Sequence, residues 1–218
     1  MSVGTLHDLS HKLSPSLPTT PGMPAARFDE VWRVPERMAN VTLYSFSSHF
    51  GTHMDAPRHY YNEGASLDEY DVSRFRGPGF VVPVAGARET EITPAEIAPY
   101  RDEIAEAPFV LLSTGWAHHF GTEEYRRHPY LAVETAEELL ALGVRCVILD
   151  VMTPDKPLSV DPTRSDGPVH RVLLGNDVLI VENAAPMAAV EGKRVEVMVF
   201  PIAIEDSNGA PVRLVVET

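Results

Sequence analysis

Among 218 residues there is one cysteine, Cys146, so no internal disulfide can form. Its place in the apolar run over 144–149 predicts a buried structural thiol. Basic side chains are scarce as well: 18 Lys and Arg stand against 31 Asp and Glu, for a formal net charge of −13. That balance works against phosphate backbones and anionic membranes, and the densest basic stretch is only Tyr125-Arg126-Arg127-His128. No apolar run approaches the length of a membrane-spanning helix. The opening Met1-Ser2-Val3-Gly4-Thr5 lacks a basic segment followed by an apolar one, so a secretory signal is not expected. Repeats and low-complexity segments are missing too. The expectation is a soluble, cytoplasmic protein that binds neither nucleic acid nor membrane.

What the chain does hold is a histidine cluster. Residues 48–59 contain three of the nine histidines and one aspartate, spaced His49-x3-His53-x-Asp55-x3-His59. Imidazole and carboxylate ligands suit zinc, manganese and iron, and a catalytic site needs two or three of them plus an open position for water. The alternative is a polar loop that happens to be rich in histidine. It leaves Gly51, Pro57 and the apolar stretch leading into the cluster unexplained.

With 44% hydrophobic and 22% charged residues, the chain reads as one α/β domain over 1–218 with a sizeable core. Residues 6–10 suit a short first strand. Prolines at 15, 18, 21 and 24 then exclude helix and central strand, and Pro21-Gly22-Met23-Pro24 reads as an ordered loop with a turn. Residues 41–46 are β-branched and aromatic, a strand running into the cluster, so the ligands are expected on a strand end and the loop after it. Residues 80–84 form a second apolar strand, with Pro83 arguing for an edge or a bulge. Thr93-Pro94-Ala95-Glu96 reads as a capping box with proline at the first helical position. A strand at 109–114, a helix at 133–142 stopped by Gly143, and a strand at 144–150 alternate in a way that favours parallel pairing. A polar loop over 158–167, a short helix over 170–174, a strand at 178–181 delivering Glu182, and a final strand at 195–204 complete the reading.

His49-x-Gly51-Thr52-His53-x-Asp55-x-Pro57-x-His59 resembles the signature of the cyclase family, the group that includes bacterial kynurenine formamidases and isatin hydrolase. Further matches follow in order: Asp8-Leu9-Ser10, Leu112-Ser113-Thr114-Gly115-Trp116, Asp150 with Ser159-Val160-Asp161, and His170 with Glu182-Asn183. The resemblance implies a swivelling β/β/α domain, with a mixed sheet or barrel-like β core and flanking helices. It also implies metal-dependent hydrolysis by a homodimer or homotetramer. Carried over residue by residue, it implies that His49, His53 and Asp55 hold a first ion, and that Asp55 bridges to a second completed by His170 and Glu182. His59 becomes the general acid/base. The formamidases use zinc and isatin hydrolase uses manganese, so zinc is expected here with manganese as the alternative. One departure falls at Met23, where bacterial formamidases tend to carry aspartate after Pro-Gly. It unsettles the substrate more than the chemistry.

Amide hydrolysis at neutral pH needs a nucleophile, a place for the developing oxyanion and a proton for the leaving nitrogen. A divalent ion serves the first two, as a Lewis acid that lowers the pKa of bound water to about 7. His59, four residues past Asp55, is the candidate to shuttle the proton; a further ligand or a loop histidine are its alternatives. Asp150 and Asp161 are candidates to orient a ligating imidazole through its other nitrogen or to fix their loops, with a turn or cap role an equal alternative for Asp161. His118 and His119 are expected at solvent or behind the ligands. Phe28, Trp32 and Trp116 are candidate contacts for a flat substrate, with core packing the other reading. No Gly-x-Ser-x-Gly elbow supports a serine hydrolase. The expected activity is that of an arylformamidase, with a metal-activated water opening a small aromatic amide, N-formyl-L-kynurenine, to L-kynurenine and formate. A cyclic-amide or lactone hydrolase of the isatin type is the alternative, and a non-hydrolytic cyclase or metal-binding protein a further one.

Overall fold

A computed structural model describes residues 4–17, 23–84, 86–158 and 166–218. In chain order its strands are β1 (Leu6–Asp8), β2 (Arg27–Trp32), β3 (Val41–Ser45), β4 (His53–Asp55), β5 (Arg76–Pro83), β6 (Glu91–Ile92), β7 (Phe109–Ser113), β8 (Tyr130–Leu131), β9 (Cys146–Leu149), β10 (Leu179–Glu182), β11 (Arg194–Pro201) and β12 (Gly209–Glu217). The helices are α1 (Pro94–Ile97), α2 (Arg101–Ala105), α3 (Val133–Ala141) and α4 (Pro168–Leu174). The sheet runs β12-β11-β5-β7-β9-β10-β4, and β4 then pairs with β12 to close the ring. β5, β7, β9 and β10 are mutually parallel, as the alternation of strand and helix predicts, while β4, β11 and β12 join antiparallel. This is the mixed, barrel-like β core with a few flanking helices that was expected.

Side-chain alternation along each strand splits the core in two. Met54, Val81, Phe109, Leu111, Cys146, Ile148, Val181, Val197 and Leu214 turn to one face and fill the ring. Val82, Val110, Leu112, Val147, Leu149 and Ile180 turn to the other face and pack under α1, α2, α3 and α4. Each such side chain, fully removed from water, contributes about 1.5–3 kcal/mol. Cys146 lies in the inner layer, where burial pushes its thiol up to about 12. The capping box forms as expected, with the Thr93 N–H donating to Glu96 at 2.8 Å.

Three elements depart from the sequence reading. Residues 41–45 do form a strand, but β3 pairs with β2 in a separate two-stranded hairpin whose Trp32, Leu43 and Tyr44 are exposed. β5 is central rather than an edge. The Val81 N–H points toward β11, so the Pro83 nitrogen does too, and there the ladder with β11 has already ended. β11 is not the last strand either: β12 follows it, is the longest, and bonds to β1, β4 and β11. The expected loop at 158–167 falls mostly outside the described residues, as do Ser159, Val160 and Asp161.

Candidate functional site

The period of two that turns Met54 into the ring turns His53 and Asp55 out of it. The β4–β10 register sets Glu182 opposite His53, so Glu182 shares that outer face. α4 carries His170 onto the same face. Two glycines make the arrangement possible. Gly51 turns the chain into β4 at φ +66°, and Gly209, paired with Asp55, leaves room for the His49 ring: a Cβ there would come within 2.7 Å of its Cε1.

Six side chains converge. His49 Nδ1 lies 2.6 Å from Asp55 Oδ1. His53 Nε2 is 3.4 Å from Asp55 Oδ1 and 3.3 Å from Glu182 Oε2. His170 Nε2 is 3.4 Å from Asp55 Oδ2 and 3.2 Å from Glu182 Oε1. The His59 ring sits over His49, with centroids 3.9 Å apart, and 5.8 Å from His170. Burial works against every charge here, yet the two signs hold each other. Against that burial, Glu182 and Asp55 raise His53 to about 9. Asp155, Asp55 and Glu182 raise His170 well above the usual imidazole range, also against burial. Burial is again outweighed at Asp55, which His49 and His170 hold well below the carboxylate range, and at Glu182, which His170 and His53 draw down to about 2. His59 moves the other way: desolvation lowers it to about 4, so its imidazole is neutral at neutral pH.

The donor set fits a divalent cation. His53 Nε2, Asp55 Oδ2 and Glu182 Oε1 are buried without a hydrogen-bond partner among the described residues, a costly state that a cation would relieve. Donor atoms bound at 2.0–2.1 Å around zinc stand about 3.3 Å apart, close to the His53 and His170 separations from the two carboxylates. Asp55 belongs to two triads that could each hold an ion, His49–Asp55–His59 and His53–Asp55–Glu182. A cavity of about 250 Å³ opens on the cluster, lined in part by Met23, Ser47, Tyr60 and Met152. Met152 also borders a second cavity of about 640 Å³, beside Arg126, Arg127, His128 and Lys156.

The structure thus brings His49, His53, Asp55, His59, His170 and Glu182 together. The three aromatic candidates lie elsewhere. Trp116 is a core residue, 6% exposed, its indole N–H donating to the Tyr125 carbonyl at 3.0 Å. Phe28 and Trp32 belong to the β2–β3 hairpin, where Phe28 packs edge-on against Tyr44. None of the three lines the cavity over the cluster. His118 is exposed and His119 half-buried beside Trp116. Asp150 takes the loop-fixing role of its two alternatives: its carboxylate accepts from the Thr114 N–H and hydroxyl and from the Gly115 N–H, fixing the turn after β7. Asp161 is outside the described residues.

Two residues to which the sequence assigns no role stand beside the ligands. Asp155, in the loop after β9, meets the His170 ring: Nδ1–H donates to its Oδ2 at 2.5 Å. Asn183, at φ +57°, donates from Nδ2 to the Gly51 carbonyl, the same oxygen that accepts from His53 Nδ1 at 2.9 Å. Asn183 had been visible in the Glu182-Asn183 pair, while Asp155 carried no motif.

The chain is similar to known proteins along nearly its whole length. It is 31% identical to a kynurenine formamidase of Bordetella avium (strain 197N) over 212 residues, 96% of each chain. It is 30% identical to a kynurenine formamidase of Bacillus thuringiensis (strain Al Hakam), over 96% of this chain and 95% of that one. Among solved structures, isatin hydrolase A from Labrenzia aggregata, bound to benzyl benzoate, superposes with a TM-score of 0.86 at 23% identity, covering 98% of this chain and 93% of the other. The Cyclase family model matches residues 7–156, and with that match and the formamidase similarity the chain belongs to the cyclase family.

Proposed function

We propose that this protein is a metal-dependent amidohydrolase, an arylformamidase that cleaves N-formyl-L-kynurenine to L-kynurenine and formate. The observation that carries the reading is the set of buried atoms on His53, Asp55 and Glu182 that make no hydrogen bond among the described residues, gathered with His170 beneath an open cavity. His49, His53 and Asp55 would hold one divalent ion, with His170 and Glu182 sharing Asp55 toward a second; zinc is the expected metal and manganese the alternative. When bound, the ion supplies a water of lowered pKa and a Lewis acid for the carbonyl oxygen.

The chain's own residues do the rest. Asp55 and Glu182 balance the charge of the ion from the barrel side. His59, neutral and facing the cavity, accepts a proton from the attacking water and returns it to the aryl nitrogen as the C–N bond breaks. Met23, Tyr60 and Met152 wall the cavity that would receive the substrate. The same reading places the protein in the cytoplasm as a homodimer or homotetramer.

The test is to assay the purified, zinc- or manganese-loaded protein on N-formyl-L-kynurenine, with isatin beside it. Metal-dependent release of formate is the expected result. One observation favours a second reading, a cyclic-amide hydrolase: Met23 gives the cavity an apolar wall suited to a flat, uncharged ring. Turnover of isatin alone would decide for that reading. No turnover of either substrate by protein that has bound its ion would reject both.

A further inference from the structure

His170 can hold a cation through Nε2 only if that nitrogen carries the lone pair, so its single proton must sit on Nδ1. Asp155 meets that requirement. Its Oδ2 accepts from Nδ1 at 2.5 Å, and its Oδ1 accepts from the backbone N–H of Val169 at 2.8 Å, at the start of α4. One carboxylate, 4% exposed, therefore fixes both the ring and the helix that carries it. Tyr60 stacks on the same ring, with centroids 4.7 Å apart and planes 15° from parallel. The other outward imidazole on this face, His53, gives its Nδ1 proton to a neutral carbonyl, that of Gly51.

Building on the metal-site reading above, we propose that Asp155 is a positioning residue for the metal centre. It holds His170 as the Nδ1–H tautomer with Nε2 turned to Asp55 and Glu182, and it makes this imidazole a stronger donor than one bonded to a carbonyl. Asp155→Asn separates the roles. The amide oxygen can keep the bond to Val169 N–H, but the NH2 group then faces Nδ1. The ring proton is driven to Nε2, and the coordinating lone pair is lost. Asp155→Ser removes both carboxylate oxygens and leaves the ring free to choose its tautomer.

The experiment is zinc affinity by competition with a chromophoric chelator, with the visible spectrum of the cobalt-substituted protein as a second readout. Wild type, D155N, D155S, H170A and the D155N/H170A pair are compared, and circular dichroism of each metal-free protein reports folding. The expected result is a drop in zinc affinity of about 10–100-fold in D155N, a smaller drop in D155S, and a changed cobalt spectrum in D155N. D155N should add nothing once His170 is gone. Zinc affinity within twofold of wild type in both folded variants overturns the proposal, as does a D155N effect that persists undiminished in H170A. If wild type itself binds no zinc, the metal reading fails and this one with it. If wild type binds and D155N binds equally well, only Asp155's role fails.

Discussion

The two halves of the cluster are built in opposite ways. His49, His53, Asp55 and His59 lie within eleven residues, and a tight turn, a three-residue strand and a 3-10 helix over Pro57–His59 place them. His170, Glu182 and Asp155 come from a helix, a strand end and a loop that meet only once the barrel closes. The local half sits on β4, which bonds to both β10 and β12 and buries Met54 completely. In the distal half, His170 rides on α4, a helix of seven residues. The local half is fixed by β4, and Glu182 equally by β10, which bonds to β9 and β4. α4 is anchored by buried Val169, Leu173 and Leu174, and the His170 ring is set by side-chain contacts with Asp55, Glu182 and Asp155. A bound cation would tie the two together.

Asp55 touches both halves, so its loss should break the comparison outright. Asp55→Asn should abolish activity and, in the same protein, the stabilisation that the ion gives. An ion at a thousandfold its Kd adds about 4 kcal/mol to wild-type stability, read as a rise in Tm that a chelator reverses. The variant should show no such rise; a full metal-induced shift in it would mean that the ion sits elsewhere. The next effect sharpens the local half. His59→Gln should lower kcat by about 10²–10⁴-fold and leave zinc affinity unchanged. Parallel losses of affinity and rate would instead make His59 a ligand, completing the triad with His49 and Asp55.

The same contrast explains what could be read from the sequence. The local half was legible because its spacing is covalent: Gly51 and Pro57 exclude one α-helix running through the cluster, and three histidines with one aspartate in so few residues have few other uses. His170 and Glu182 were legible only through resemblance, since neither a short helix nor a strand end says what it faces. Asp155 carried no signal, because its partner lies fifteen positions away across a loop. β12 was missed for another reason. Val212, Leu214 and Val216 do alternate inward, but Gly209 and Pro211 at its start read as turn residues. The exposure of β3 was hidden too, since an apolar β-branched run does not say what covers it.

Trp116 tests the weakest link between the halves. Its indole N–H bonds to the Tyr125 carbonyl, the Tyr125 hydroxyl donates to Asn183 Oδ1 at 2.9 Å, and Asn183 steadies the Gly51 carbonyl that takes the His53 proton. A substrate contact and a core support predict different outcomes for Trp116→Phe. The change keeps an aromatic ring in the core but strands the Tyr125 carbonyl, so it should cost about 1–3 kcal/mol in urea unfolding. KM should stay within twofold, because the ring does not line the cavity. If stability holds while KM rises severalfold, the tryptophan reaches the substrate and the aromatic wall of the pocket must be redrawn. If stability falls and zinc affinity falls with it, the bonded chain from Trp116 to His53 carries strain between core and metal site, and the local half is less self-sufficient than its spacing suggests.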